Sequence, residues 1–310
     1  MAMDDVVKRL KEINAKRVLV QFPEGIKLRI QSISRELEKN GIEAMISLEA
    51  TWGACDVRVD EAKRLKCDAI LHIAHSDYGV KADIPVIYYD YFLNGDPVPI
   101  LEKEFSKLEN YQKIGLVTSL QFIPATEKVK EFLENKGKKV FMAKSPLEKY
   151  DGQMLGCRTG AGKALESKVD AFLCVSAGKF YGLGLALDTN KPLLNLDLEK
   201  CKIYAIDDVK KKVQKIVAWN RMLLKEAKKV GFLISWKRGQ MFGDPHKLKK
   251  KMEDDGKEVY MLAMDEFSPQ KLEGLKLDML ISFACPRISS DDQAKYKTPM
   301  LNYYDILTNR

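Results

Sequence analysis

No C-x2-C pair occurs among the six cysteines of this 310-residue chain. That absence excludes the zinc fingers and ribbons, whose ligands come in close pairs. No apolar run approaches the ~20 residues needed to cross a bilayer. The stretch MAMDDVVKRLKEINAKR lacks an apolar signal core, so a cytoplasmic protein is expected. In a reducing compartment the cysteines are not expected to form structural disulfides. They are buried hydrophobes, metal ligands or reactive thiols. Nucleotide loops are incomplete. CRTGAGKA has Cys157 and Ala164 where a phosphate-binding loop needs Gly and Ser or Thr, and GLGLA lacks the third glycine of a dinucleotide fingerprint. No G-x-S-x-G nucleophile elbow is present. The net charge is +8, but RNA-binding signatures and basic stripes interleaved with aromatics are missing, so no direct nucleic-acid binding is expected. Lysine-rich stretches such as Asp207–Lys212 and Lys247–Lys251 read as solvated helix faces.

What the chain does have is a threefold internal repeat. KCDAILHIAH (66–75), KVDAFLCVSA (168–177) and KLDMLISFAC (276–285) share Lys-x-Asp followed by an apolar run. Each reads as a short strand buried on both faces, the mark of a parallel sheet. RVLVQFPEG, KIGLVTSLQ and KVGFLISWK are the strands that open each repeat. LEKNGIEAMI, LENKGKKVFM and MEDDGKEVYM each end a helix at a glycine (Gly41, Gly137, Gly256) and start a strand. IPVIYYD, KPLLNLD and TPMLNYYD close the units, with Pro85, Pro192 and Pro299 at equal spacing. The expected fold class is α/β, with three homologous domains spanning 1–93, 94–198 and 199–310. Each holds a small parallel sheet flanked by helices, arranged with pseudo-threefold symmetry around a central site.

The repeat frame sorts the cysteines. Cys55 precedes Cys157 by the same interval as Asp68 precedes Asp170, so the two occupy matching sites after the second strand. In the third repeat that site falls near Asp265, and Cys285 instead follows the third strand, where the other repeats have His75 and Ala177. Ligands gather at the carboxyl ends of strands in open α/β sheets. If the domains face one another, Cys55, Cys157 and Cys285 meet, and three soft thiolates suit zinc or an iron–sulfur cluster. Cys67, Cys174 and Cys201 read as structural.

Taken together, RVLVQFPEGI, TWGACDV, HIAHSDYGV, LGCRTG and SFACPRIS resemble the diphthamide synthase family, the 2-(3-amino-3-carboxypropyl)histidine synthases of the archaeal, homodimeric kind. The resemblance covers nearly the whole chain. It implies a [4Fe-4S] cluster on Cys55, Cys157 and Cys285. It also implies an atypical radical use of S-adenosylmethionine (SAM), in which reduction breaks the bond from sulfur to the methionine Cγ. The 3-amino-3-carboxypropyl group then goes to a histidine carbon of translation elongation factor 2, and methylthioadenosine is released. Ordinary radical-SAM enzymes carry C-x3-C-x2-C in one loop, which this sequence lacks. Candidates for SAM contacts are strand-end residues: Glu24 and Gly25, His75 and Ser76, Gln121, Ser176 and Gly178, and Ser235. Arg287 is expected to pair with the SAM carboxylate. His75 reads as a polar lining group, His72 as core and His246 as surface. A homodimer and an unidentified electron donor are the expected partners. The alternatives are a quinolinate-synthase-like [4Fe-4S] dehydratase and a non-catalytic iron–sulfur subunit that only passes electrons.

Overall fold

The computed structural model describes residues 3–307. They form two compact units, one running through Ala205 and the other starting at Ile206. The first unit contains two sheets. β1 (Arg17–Gln21), β2 (Glu43–Ile46), β3 (Ala69–Ile73) and β4 (Val86–Tyr89) are all parallel, in the order β2-β1-β3-β4. The second sheet has β5 (Lys113–Thr118), β6 (Lys139–Phe141), β7 (Ala171–Ser176) and β8 (Leu193–Asp197) in the same pattern. It is extended by β9 (Lys202–Ala205), which runs antiparallel to β8. The other unit repeats the pattern with β10 (Lys229–Ser235), β11 (Glu258–Met264), β12 (Met279–Ser282) and β13 (Met300–Asn302), in the order β11-β10-β12-β13. The α/β class with parallel-dominated sheets flanked by helices is therefore as the sequence implied.

The burial pattern explains why these runs are strands. Every residue of β3, β7 and β12 is buried. In the first sheet, Val18, Val20, Leu71 and Ile73 pack on one face, while Leu19 and Ile70 pack on the other. In the third, Phe232 and Ile281 lie on one side, and Leu233 and Leu280 on the other. Each such side chain removed from water contributes roughly 1.5–3 kcal/mol. A run apolar at every position is stable only when both faces are covered.

The repeated polar residues hold the ends. One carboxylate oxygen of Asp68 accepts from the N–H groups of Lys16 and Arg17, at 2.7 and 2.8 Å. Asp170 does the same for Gln112 and Lys113, and Asp278 for Lys228 and Lys229. The Lys-x-Asp signature thus ties the third strand of each sheet to the start of the first. These hydrogen bonds favour the ionised form and lower the pKa of all three acids. Gly41, Gly137 and Gly256 have φ of 77°, 77° and 82° and follow the helices Ile30–Lys39, Ile123–Asn135 and Pro245–Asp254. The next residue's N–H bonds back to Leu37, Leu133 and Met252, closing the left-handed cap that turns each helix into its strand. The carbonyls of Pro85, Pro192 and Pro299 accept from Ile70, Phe172 and Leu280.

Two lysine-rich stretches lie on the helices Asp207–Glu226 and Pro245–Asp254, as expected. Among the described residues no helix is long and apolar enough to cross a membrane. One expectation needs correcting. Cys201 does not fill a packing role: it is exposed, at φ 49°, on the turn between β8 and β9. The segment EKCKIY (199–204), which reads as a linker, holds this turn and the first three residues of β9.

Candidate functional site

In the first unit, the loop carrying Cys55 is built around the end of β1. Gln21 is fully buried there. Its amide donates to Asp56 O at 3.0 Å, and its side-chain oxygen accepts from Arg58 N at 2.9 Å. Asp56 N closes a tight turn onto Gly53 O at 2.9 Å. The Asp56 carboxylate accepts from Trp52 N and stands 3.7 Å from the Arg58 guanidinium. A Cβ on Gly53 would sit 3.7 Å from the Cys55 Sγ, so the half-buried thiol folds back over that glycine. Two buried polar residues therefore aim one cysteine.

The loop after β3 links the two sheets of this unit. Gln121 Nε2 donates to Ala74 O at 2.7 Å, and Gln153 Nε2 donates to Ser76 Oγ at 2.9 Å. Arg158 donates to Tyr78 O at 2.7 Å, and its guanidinium lies 3.4 Å from the centre of the Tyr78 ring. The Tyr78 hydroxyl is hydrogen-bonded to the Cys157 thiol and lies near Cys55. Burial first, then these sulfurs, push its pKa well up. Tyr78 is thus the point where the Cys55 loop of one sheet and the Cys157 loop of the next come together.

The thiols divide by environment. Burial raises Cys67, and it pushes Cys174, inside β7, up to about 12. Such thiols stay protonated and inert. Cys55, Cys157 and Cys285 are instead half-buried on strand-end loops. Cys285 follows β12 in the second unit, and its carbonyl accepts from Ile288 N at 3.2 Å at the start of the helix Arg287–Asp291. Accessible thiols with a phenol donor and a guanidinium beside them fit the sulfur-ligand chemistry of an iron–sulfur cluster. Among the described residues no group of three His, Cys, Asp or Glu closes around a single metal ion.

A match to the diphthamide synthesis protein family covers residues 22–308. The chain belongs to that family. The 2-(3-amino-3-carboxypropyl)histidine synthase of Pyrococcus horikoshii is 31% identical over 97% of this chain and 88% of its own length. The synthase of the same name from Methanocaldococcus jannaschii is 27% identical over 95% of this chain and 85% of its own. The crystal structure of Dph2 from P. horikoshii with a 4Fe-4S cluster superposes with a TM-score of 0.87, at 30% identity, over 99% of this chain and 89% of that one.

In this diphthamide synthesis protein, most residues singled out as SAM contacts already have protein partners. Glu24 is exposed and paired with Lys27 at 3.0 Å, and Gly25 beside it faces open space. Gln121 and Ser76 bridge the sheets as described. Ser176 Oγ donates to Gly178 O at 3.1 Å and lies 3.0 Å from Asn195 Oδ1. Gly178, at φ 69°, donates its N–H to Asp197 at 3.1 Å. Ser235 accepts from Lys237 N at 3.2 Å. Arg287 is held bidentately by Asp291, at 2.6 and 2.9 Å. His75 keeps one nitrogen for a buried neighbour, His72. His72 is core and His246 is exposed, as expected.

Sequence reasoning missed Gln21, Asp56, Tyr78, Gln153, Arg158 and Glu148. Glu148 is buried, with Oε1 unpartnered, and burial pushes its pKa up to about 7 although Arg158 pulls it down. A carboxyl raised in the folded state stabilises the fold fully below its unfolded pKa, and that contribution is lost as pH rises through about 7. Glu148→Gln is therefore expected to raise the thermal midpoint at pH 8 and to change it little at pH 5. Calorimetry at the two pH values checks this.

Proposed function

We propose that this chain is a 2-(3-amino-3-carboxypropyl)histidine synthase. It takes the 3-amino-3-carboxypropyl group from SAM and attaches it to a histidine carbon of translation elongation factor 2. The carrying observation is the gathering of the Cys55 and Cys157 loops at Tyr78, in a chain that superposes on a cluster-bearing relative over nearly its full length. In this reading Cys55, Cys157 and Cys285 hold a [4Fe-4S] cluster. When bound and reduced, that cluster supplies the electron that breaks the bond from the SAM sulfur to its Cγ, with methylthioadenosine as the other product. The protein's task is position and exclusion. Gln21 and Asp56 fix the Cys55 turn. Arg158 holds the Tyr78 loop by its carbonyl and its ring, and the phenol directs a hydrogen bond at the Cys157 sulfur. Three separate loops, one cysteine on each, replace the single cysteine loop of ordinary radical-SAM enzymes. The working form is a homodimer in the cytoplasm, reduced by a separate electron donor.

The test is anaerobic. The protein is reconstituted with iron and sulfide, reduced with dithionite, and mixed with SAM and elongation factor 2. The expected result is methylthioadenosine in solution and an aminocarboxypropyl adduct on one histidine by mass spectrometry. Release of 5′-deoxyadenosine would place the reaction in the ordinary radical class. A reduced cluster that leaves SAM intact would favour a purely electron-passing subunit. Tyr78→Phe supplies a finer check. It removes one hydrogen bond to a ligand sulfur, and such bonds stabilise the reduced, more negative cluster. The variant is expected to assemble its cluster but to show a more negative reduction potential in a spectroscopic redox titration.

A further inference from the structure

We propose that His72 is a positioning residue that sets the tautomer of His75, so that His75 presents a neutral Nε2–H donor to the carboxylate of bound SAM. This rests on the functional reading above for the identity of the ligand, and on geometry for everything else.

His72 lies inside β3 with no exposure, and its Nε2 is 3.1 Å from His75 Nδ1. The two rings are tilted by 49°, with centroids 5.1 Å apart. The proton between them belongs to one ring or the other, and the far nitrogen of His72 decides which. Nδ1 of His72 is buried and has no hydrogen-bond partner. A buried N–H without an acceptor is the rarer and costlier defect, whereas an unused acceptor lone pair is better tolerated. The lone pair therefore sits on His72 Nδ1, the proton on His72 Nε2, and His75 Nδ1 accepts. A neutral imidazole that accepts at Nδ1 carries its hydrogen on Nε2. Among the described residues nothing takes that hydrogen. Burial depresses the pKa of both histidines, His75 to about 4, so neither is an imidazolium at neutral pH.

The surroundings suit a donor. His75 occupies the strand-end position that matches Cys285 in the third repeat, and its loop leads directly into Tyr78, the meeting point of Cys55 and Cys157. The loop is rigid. Tyr88 Oη donates to the Asp77 carboxylate and accepts from Tyr78 N, and Gly79 N donates to Asp77 at 2.8 Å. Its ring packs 5.5 Å from that of His72. SAM offers a single anionic acceptor, the carboxylate of the group to be transferred, and a fixed neutral N–H binds it without adding a proton that would follow pH.

The chain has three histidines, so the experiment is tractable. Iron-free protein labelled with 15N-histidine is studied by long-range 1H–15N correlation at pH 7. His72 and His75 are expected to show Nε2–H tautomers, with His246 as the exposed reference. An Nδ1–H tautomer or an imidazolium at either position would overturn the proposal. His72→Phe should leave His75 in mixed tautomers. His72→Gln, whose amide N–H replaces Nε2–H, should restore the wild-type signal. If His72→Phe does not fold, His72→Gln and His75→Phe carry the test. Equilibrium dialysis with labelled SAM and oxidised, cluster-loaded protein gives the second readout. His75→Phe is expected to bind SAM about tenfold more weakly and His72→Gln nearly as wild type. Unchanged binding by His75→Phe would overturn the proposal. If loaded wild-type protein bound no SAM, the functional reading would fall together with the assigned partner of His75. An Nδ1–H His75 in a protein that does bind SAM would defeat this inference alone.

Discussion

Alanine at Cys55, at Cys157 or at Cys285 is expected to abolish methylthioadenosine release and to remove the visible absorbance of thiolate-bound iron, while leaving a folded chain. Alanine at Cys67, Cys174 or Cys201 should keep both. The prediction separates the thiols by environment rather than by count. Cys67 and Cys174 are buried with raised pKa values, so they are poor at giving up the proton a metal ligand must lose. Cys201 is exposed on the hairpin turn between β8 and β9 and has no counterpart in the other repeats. Cys55 and Cys157 sit on matching loops and share Tyr78 as a neighbour, and Cys285 stands where His75 stands in the first repeat. Loss of one ligand from a three-cysteine set leaves two, too few to retain the cluster through purification. The effect should therefore be near total for each of the three. Iron and sulfide analysis alongside the absorbance spectrum checks it. Full cluster content in any of the three alanine variants would refute the ligand assignment.

The fold was legible because its signals are local and recur. An apolar run after Lys-x-Asp, a glycine ending a helix and a proline opening a strand each depend on a few consecutive residues, and the structure uses all three in each sheet. The aspartates show the limit of such reading. Their recurrence was visible, but the two N–H groups that each accepts lie some fifty residues earlier in the chain. The same limit explains the candidate SAM residues. Gln121, Ser76, Ser176 and Arg287 have the right chemistry at the right strand ends. In the folded chain Gln121, Ser76 and Ser176 each meet a partner distant in sequence, and Arg287 is taken by Asp291 one helical turn on. Gln21 stands in RVLVQFPEG, whose local pattern marks only a strand, yet it is the clamp on the Cys55 turn, bonded to residues 35 and 37 positions away. β9 escaped notice because four residues flanked by charges resemble a linker, and only pairing with β8 makes them a strand.

Asp197 ends the repeat element KPLLNLD, and its replacement by alanine is the substitution expected to damage the fold most. The residue is fully buried. One carboxylate oxygen accepts from Gly178 N at 3.1 Å and from the Tyr204 hydroxyl at 3.0 Å. The other accepts from Glu199 N and Lys200 N, at 3.2 and 3.0 Å. A single side chain therefore satisfies the loop after β7, the turn after β8 and the β9 strand at once. Alanine would leave three backbone N–H groups and a phenol without their acceptor. Each orphaned donor costs about 1–3 kcal/mol, less where the loop can relax toward solvent, so a total of about 3–5 kcal/mol is expected. That is a large part of the 5–15 kcal/mol typical of a whole domain. Tyr204→Phe removes one of the four bonds and should cost about 1 kcal/mol. Because the chain has two compact units, a single global unfolding curve is a poor gauge. Hydrogen exchange reads the effect where it arises. The amides of Gly178, Glu199 and Lys200 should be protected in the wild type and should exchange far faster in Asp197→Ala, while amides of β10 to β13 keep their rates. Equal protection at those three amides in both proteins would show that Asp197 does not organise this strand end.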